Sequence, residues 1–277
     1  MKSFCIKSNT AGIINYLLDE FSALNLEKLY ISSNSFKIYD NVILHYNGND
    51  INLFYNYFCN ILSKAIIKFY EPLKIKQELN KNFFYFNHFE KEQILEIFDN
   101  ELENQTNSLV LNRFTAIYKS LLNYINEGHH SVIFNGFCSF RLSSYNAILD
   151  CLLSNCVNRF LLEREYLEFI NLLKLYISSN SPKESTIHLI YLKTNSILLD
   201  DNKQIIDIKH SDLLNAKFLS DITFSDNDYI LNYLLNALPA QLVIHIPNLS
   251  YFQDEFLNTL RLIFENRVCI CTDCVIW

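Results

Sequence analysis

One stretch decides the fold of this chain, residues 136–177: GFCSFRLSSYNAILDCLLSNCVNRFLLEREYLEFINLLKLYI. It contains no proline, and its only glycine is its first residue. Apolar residues recur in it every three or four positions, which is the spacing of one face of an α-helix. The pattern predicts one long helix, or two consecutive helices that meet near Ser154 and Asn155. The apolar positions form two stripes, the first of Tyr145, Ile148, Leu149, Leu152, Cys156 and Phe160, the second of Leu162, Tyr166, Phe169, Ile170, Leu173 and Tyr176.

A helix of this length must be covered by other parts of the chain, because intrinsic helix propensity alone stabilises a helix weakly. Its charged residues lie mostly between the stripes. Arg159 can pair with Glu163, four residues later, and Arg164 with Glu168 in the same way. Together with Glu165, these carboxylates could also serve acid–base or metal chemistry. The Glu-x-x-His motif of a di-metal helical bundle is missing, so we interpret them as a solvated, ion-paired face.

The rest of the chain alternates between short apolar strands and amphipathic helices, and we divide it into three regions. Residues 1–104 are predicted to form a small α/β unit, and residues 105–182 a helical middle that contains the long stretch. Residues 183–277 are predicted to form an α/β layer with a partly parallel sheet. The predicted fold class is therefore mixed, α+β or α/β. Strands are expected at 4–6, 29–31, 36–39, 42–46, 187–192, 197–199, 242–246 and 268–271, and the last region also has expected helices at 211–218, 225–237 and 254–264.

Composition limits the class of protein. Half of the 277 residues are hydrophobic and 14% are aromatic, which predicts a packed core rather than disorder. The formal net charge is −7, and because phosphate binding needs clustered lysine and arginine, nucleic acid is not the expected partner. Lys7 precedes any apolar run, so we expect no signal peptide, and no apolar run is long enough to predict a membrane span. We therefore expect a cytoplasmic protein whose eight cysteines are reduced thiols.

The C-terminal sequence contains three closely spaced cysteines, Cys269, Cys271 and Cys274. Thiolates bind zinc and iron–sulfur clusters, and alternate residues of a strand share a face, so Cys269 and Cys271 could act together. A structural zinc site needs a fourth ligand, for which His245 and Cys5 are candidates. A redox-active pair of Cys271 and Cys274 is one alternative. Three reduced cysteines packed near a terminal strand are another.

Arg141 lies among aromatic residues, just before the long helical stretch. An arginine in this setting could bind an anion or the carboxylate of a protein partner. It could instead stack on Phe137 or Tyr145 and tie a loop to the fold. We favour the second interpretation and keep the first as the alternative.

One zone of the chain is basic, with aromatic residues interleaved among its lysines. This composition occurs in nucleic-acid and anionic-membrane surfaces. Glu71 and Glu78 dilute the positive charge, so we interpret the zone as a solvated helix face and keep nucleic-acid or membrane-surface association as an alternative. The Lys64–Lys81 zone is defined by Lys64, Lys68, Lys74, Lys76 and Lys81.

Three motifs occur in this chain in the order typical of one protein family. The first is Gly-Phe-x-x-Phe-Arg-Leu followed by a tyrosine, the second is Glu-Tyr-x-x-Phe-Ile-x-Leu-Leu, and the third is Arg-Val before clustered cysteines. In this order the chain resembles the YtxC-like family, whose members are associated with sporulation in endospore-forming bacteria. The matching residues are Gly136, Phe137, Phe140, Arg141, Leu142, Tyr145, Glu165, Tyr166, Phe169, Ile170, Leu172, Leu173, Arg267, Val268, Cys269, Cys271 and Cys274.

The resemblance implies a sporulation-associated role but no particular reaction. The family has a further cysteine near its end, where this chain has Val275, Ile276 and Trp277, and this difference weakens the metal hypothesis. The sequence contains no phosphate-binding glycine loop, Gly-x-Ser-x-Gly elbow or His-Glu-x-x-His motif, so we favour a role without catalysis. We expect a cytoplasmic protein that acts by binding another protein.

Overall fold

The structure, a computed structural model, describes residues 2–24, 26–103, 107–192, 196–207 and 225–272. Its contacts divide the chain into two compact units, Met1–Leu162 and Glu163–Trp277. The described residues of each unit form a four-stranded sheet and an apolar core, which confirms the mixed fold class. The division into three regions, with boundaries at residues 104 and 182, stays a prediction.

The sheet of the first unit has the strand order β2-β3-β1-β4. Neighbouring strands pair antiparallel except β4, which pairs parallel with β1. Phe4, Ile6 and Leu44 are buried on the sheet face that carries the helices, since alternate residues of a strand point the same way. The strands are β1 (Lys2–Ser8), β2 (Leu29–Ser35), β3 (Asp40–Tyr46) and β4 (Ser131–Ile133).

The strand predicted at 36–39 is wrong, because these residues form the turn between β2 and β3. The N–H of Phe36 donates to the carbonyl oxygen of Tyr39 at 3.1 Å, which closes the hairpin. Phe36 and Ile38 alternate with polar residues as in a half-buried strand, but both side chains are exposed at the tip of the hairpin. Alternation alone therefore does not separate a strand from an apolar turn.

Several helices of the first unit begin at local sequence signals. The carboxylate of Asp50 accepts the N–H of Leu53 at 2.9 Å and caps α2. Helix α2 is followed by a π-helical turn, Ile66–Tyr70, that leads directly into α3. Pro72, which has no N–H to donate, lies at the start of α3, immediately after this turn. The helices are α1 (Ala11–Ser22), α2 (Ile51–Ala65), α3 (Glu71–Asn82), α4 (His88–Glu103), α5 (Ser108–Asn126) and α6 (Phe134–Arg141).

The long stretch forms one continuous helix, α7 (Ser143–Ser179), of 37 residues. It does not break near Ser154 and Asn155, so the single-helix alternative is the correct one. Its first half belongs to the first unit and its second half to the second. Five of the six residues of the first stripe are buried in the core of the first unit, and Ile148 is partly buried.

The sheet of the second unit has the strand order β6-β5-β7-β8. Strands β5, β7 and β8 run parallel to one another, and β6 pairs antiparallel with β5, which confirms the predicted partly parallel sheet. Ser225 caps α8 through a reciprocal pair of hydrogen bonds with Asp228. The helix predicted at 211–218 lies outside the described residues. The elements are β5 (Glu184–Ile190), β6 (Ile197–Leu199), α8 (Asp226–Ala237), β7 (Pro239–His245), α9 (Glu255–Phe264) and β8 (Val268–Cys271).

Candidate functional site

Arg141 is the last residue of α6 and lies beside the C-terminal end of α5. Its guanidinium carbon is 5.6 Å from the centre of the Tyr124 ring, and its Nη1 is 3.6 Å from Oε2 of Glu127. Phe137 packs edge-on against the same Tyr124 ring, with the ring centres 5.3 Å apart. Arg141 therefore contacts an aromatic ring, but the ring belongs to Tyr124 rather than to Phe137 or Tyr145.

The Glu127 carboxylate is shared between two basic side chains. The Nε2 of His129 lies 3.3 Å from the same Oε2 that approaches Arg141, and the His129 ring stacks on Tyr124 with the ring centres 4.2 Å apart. An anion that bound Arg141 would have to compete with this carboxylate. Anion or partner binding by Arg141 stays a prediction. The adjacent cavity of about 170 Å³ is lined by Ser120, Asn123, Tyr124, Glu127 and Arg141.

A buried polar cluster, which no local pattern in the sequence indicates, joins α3, α5 and α7. Glu71 is only 3% exposed. One of its carboxylate oxygens accepts a 2.8 Å bond from Nη1 of Arg113, and the other accepts a 2.5 Å bond from the hydroxyl of Tyr145. Burial raises the pKa of Glu71, although the Tyr145 hydrogen bond and the Arg113 charge both act in the opposite direction. Burial also raises the pKa of Tyr145, and the negative charge of Glu71 raises it further. The Tyr145 hydroxyl therefore keeps its hydrogen and donates it to Glu71.

Tyr145 is one of the residues on which the family resemblance rests, and its contacts explain a tyrosine at this position. Its ring is fully buried in the first unit, while its hydroxyl satisfies the Glu71 carboxylate. A buried carboxylate costs free energy unless it is paired and hydrogen-bonded. The cluster therefore fixes the start of α7 against α3 and α5, and we assign it a structural role.

The second half of α7 is only partly covered by the residues that the structure describes. Of the second stripe, Ile170 is buried and Leu173 is partly buried in the core of the second unit. The other four members are exposed, and so are Leu172 and Leu175, which are not part of the stripe. Phe169, Leu172 and Tyr176 follow the spacing i, i+3 and i+7 and so share a face, which Leu175 extends. We define the α7 patch as Phe169, Leu172, Leu175 and Tyr176, which are 50%, 64%, 62% and 42% exposed.

Two carboxylates border the α7 patch. Glu165 and Glu168 lie on the same side of the helix, one turn before Phe169 and Leu172, and both are exposed. Glu168 Oε1 lies 3.7 Å from Nε of Arg164, as the spacing of these two residues predicts. On the side of the helix that carries the buried Ile170, the hydroxyl of Tyr166 is 2.8 Å from Oγ1 of Thr259 on α9. The patch is thus apolar with an acidic border.

The C-terminal cysteines lie on and beyond β8. Cys271 is paired in register with His245 on the neighbouring strand β7, so the strand of His245 does lie alongside. Cys269 Sγ accepts a 3.1 Å bond from the side-chain amide of Gln241, whereas Cys271 is disulfide-bonded, unlike the expected free thiol. Among the described residues no group of three His, Cys, Asp or Glu side chains could hold a metal ion. Cys274 lies outside them, so a zinc or iron–sulfur site at Cys269, Cys271 and Cys274 stays a prediction.

His245 has a second histidine as its neighbour. Its Nε2 is 3.0 Å from Nδ1 of His188 on β5, so the two rings meet at their edges, with their centres 5.2 Å apart and their planes at an angle of 19°. Burial lowers the pKa of His245, and the positive charges of His188 and Lys203 lower it further. His245 is therefore a neutral imidazole at neutral pH. His245 was predicted only as a possible fourth ligand for the cysteines, and its contact with His188 has no local signal in the sequence.

The Lys64–Lys81 zone is partly neutralised by its own surroundings. Lys74 forms a 2.5 Å ion pair with Glu78, and the ammonium of Lys68 lies 4.5 Å from the centre of the Tyr16 ring. Nothing in these contacts favours nucleic-acid or membrane-surface association. None of the helices in the described part of the chain combines the length and the apolar character of a membrane span.

Comparison with known proteins identifies the family. The model of the YtxC-like family matches residues 56–269. This range includes the buried cluster of Glu71, Arg113 and Tyr145, Arg141 with its contacts, and the α7 patch. This chain belongs to the YtxC-like family. A curated member, "Uncharacterized protein YtxC" of Bacillus subtilis (strain 168), is 21% identical over 214 residues, which are 75% of this chain and 74% of that protein. No solved structure matches the chain.

Proposed function

We propose that this YtxC-like protein is a cytoplasmic, sporulation-associated protein that acts by binding another protein at the α7 patch. One observation carries the proposal: four large apolar side chains are exposed together on one face of a long helix. Monomeric proteins seldom expose contiguous apolar surface of several hundred Å², and such surface commonly marks an interaction site. The sporulation part rests on the family resemblance.

The partner that fits the α7 patch is an amphipathic helix whose apolar stripe is bordered by lysine or arginine. A helix presents its own ridge of apolar side chains at the same three- and four-residue spacing, so two such faces pack together. Glu165 and Glu168 at the border favour basic residues opposite them, because complementary charges set the register and orientation of the pair. A second copy of this chain would bring acidic borders of the same kind.

The experiment places a photo-cross-linking phenylalanine analogue at position 172 in the natural host during sporulation. We expect one cross-linked protein, which is then purified and its binding to the whole chain measured. Binding should weaken at least about tenfold for L172E combined with L175E, because central apolar contacts dominate interface energies. It should also weaken for E165K combined with E168K.

The matched control is L111E, since Leu111 on α5 is 59% exposed, much like the two patch leucines. Its binding should equal that of the unmodified chain. Adducts that form equally from position 111 and position 172, or that contain only a second copy of this chain, would contradict the proposed partner. The sporulation role is tested separately, by counting heat-resistant spores of a strain that carries L172E and L175E against one that carries L111E.

A further inference from the structure

We propose that His188 and His245 form a binding site for a divalent metal ion of the zinc class, on the face of the second sheet opposite α8 and α9. This site is separate from the α7 patch and does not depend on the proposed partner. It also differs from the cysteine site that the sequence suggested, since its ligands are two imidazoles.

The strand register places the two histidines on the same face of the sheet. His188 of β5 is paired with Val243 of β7, and His245 lies two residues further along β7, so all three side chains point the same way. The opposite face carries Ile187, Leu189, Leu242 and Ile244, which are buried with residues of α8 and α9 in the core of the second unit. The imidazoles therefore do not belong to that apolar layer.

The distance between the two ring nitrogens suits a shared metal ion. Zinc binds imidazole nitrogen at about 2.0–2.1 Å, so two imidazole ligands of one tetrahedral ion are about 3.3 Å apart. The Nδ1 of His188 and the Nε2 of His245 are 3.0 Å apart, and an opening of a few tenths of an ångström would admit the ion. In the metal-free pair one nitrogen carries a hydrogen that the other accepts.

Metal binding needs both facing nitrogens without a hydrogen. Each neutral imidazole has one N–H, which can lie on either nitrogen. In the metal-bound form His188 would carry its hydrogen on Nε2 and His245 on Nδ1, and the facing lone pairs would bind the ion. Two water molecules would fill the remaining tetrahedral positions, one more than in zinc sites that have three protein ligands.

To test this, the untagged whole chain is first treated with a chelator to remove bound metal. It is then titrated with Zn²⁺ alone in a calorimeter. We expect saturable binding of one ion per chain. H188Q and H245Q should each weaken it at least tenfold, because glutamine keeps much of the shape but removes the imidazole. His88 on α4, whose side chain is 89% exposed, provides the control, and H88Q should bind as the unmodified chain does.

Nitrogen chemical shifts of the histidine rings give a second readout that a change in stability would not mimic. Zinc should shift Nδ1 of His188 and Nε2 of His245, and leave His88 unchanged. If H245Q does not fold, H188Q still decides the matter, because His188 is only partly buried. Absence of saturable zinc binding would overturn the proposal. So would binding that survives H188Q and H245Q but is lost in C269S or C271S, a result that would move the ion to the cysteines.

Discussion

The two halves of helix α7 have similar apolar content but different surroundings. In the first half, Tyr145, Leu149 and Leu152 lie in the core of the first unit, and Tyr145 also reaches a buried carboxylate. In the second half, one face is buried in the second unit while Phe169, Leu172 and Leu175 are exposed. The first half therefore contributes to folding stability. The second presents apolar surface whose cost in water is difficult to explain without a partner.

The largest loss of folding stability is expected at the buried cluster of Glu71, Arg113 and Tyr145, which holds the first half of α7 in place. Replacing Glu71 with alanine would leave Arg113 and the Tyr145 hydroxyl without their shared acceptor, and breaking a buried ion pair from one side costs about 3–5 kcal/mol. We expect the free energy of unfolding to fall by an amount near the lower end of this range, because the Arg113 side chain is 18% exposed and water can reach it. Urea unfolding measures this change. A loss below about 1 kcal/mol would mean that the cluster behaves like a surface ion pair.

The next effect is expected at Leu149, which is fully buried in the first half of α7. Its replacement by alanine removes apolar contacts and leaves a cavity, at a cost of about 2–5 kcal/mol in well-packed cores. The midpoint of urea unfolding should fall while the slope stays constant, since the surface exposed on unfolding is nearly the same. An unchanged midpoint would show that the first half is not packed as described.

The sequence predicted the features that depend on local spacing. The long helix, the burial of its first stripe and the partly parallel second sheet all follow from periodicity and from residues close along the chain. The exposed hairpin tip at Phe36 and Ile38 was missed, because an alternating pattern also fits a turn that leaves its apolar side chains in water.

The parts of the candidate sites that join distant residues had no local signal. Glu71 is 42 residues from Arg113 and 74 from Tyr145, and His188 is 57 residues from His245. Only the fold brings them together. The α7 patch was missed for a different reason: periodicity shows that a face is apolar, but whether another element covers that face is decided by packing between distant segments.

The smallest effect on stability is expected in the second half of α7. Leu172→Ala makes the same chemical change as Leu149→Ala in the same helix, but Leu172 is 64% exposed. The free energy of unfolding should change by less than about 0.5 kcal/mol, as for other surface substitutions, and alanine's high helix propensity acts against any loss. Urea unfolding of both variants in one buffer gives the comparison directly. A loss at Leu172 as large as that at Leu149 would show that this face is already covered within the folded chain, and the α7 patch would then not be available to a partner.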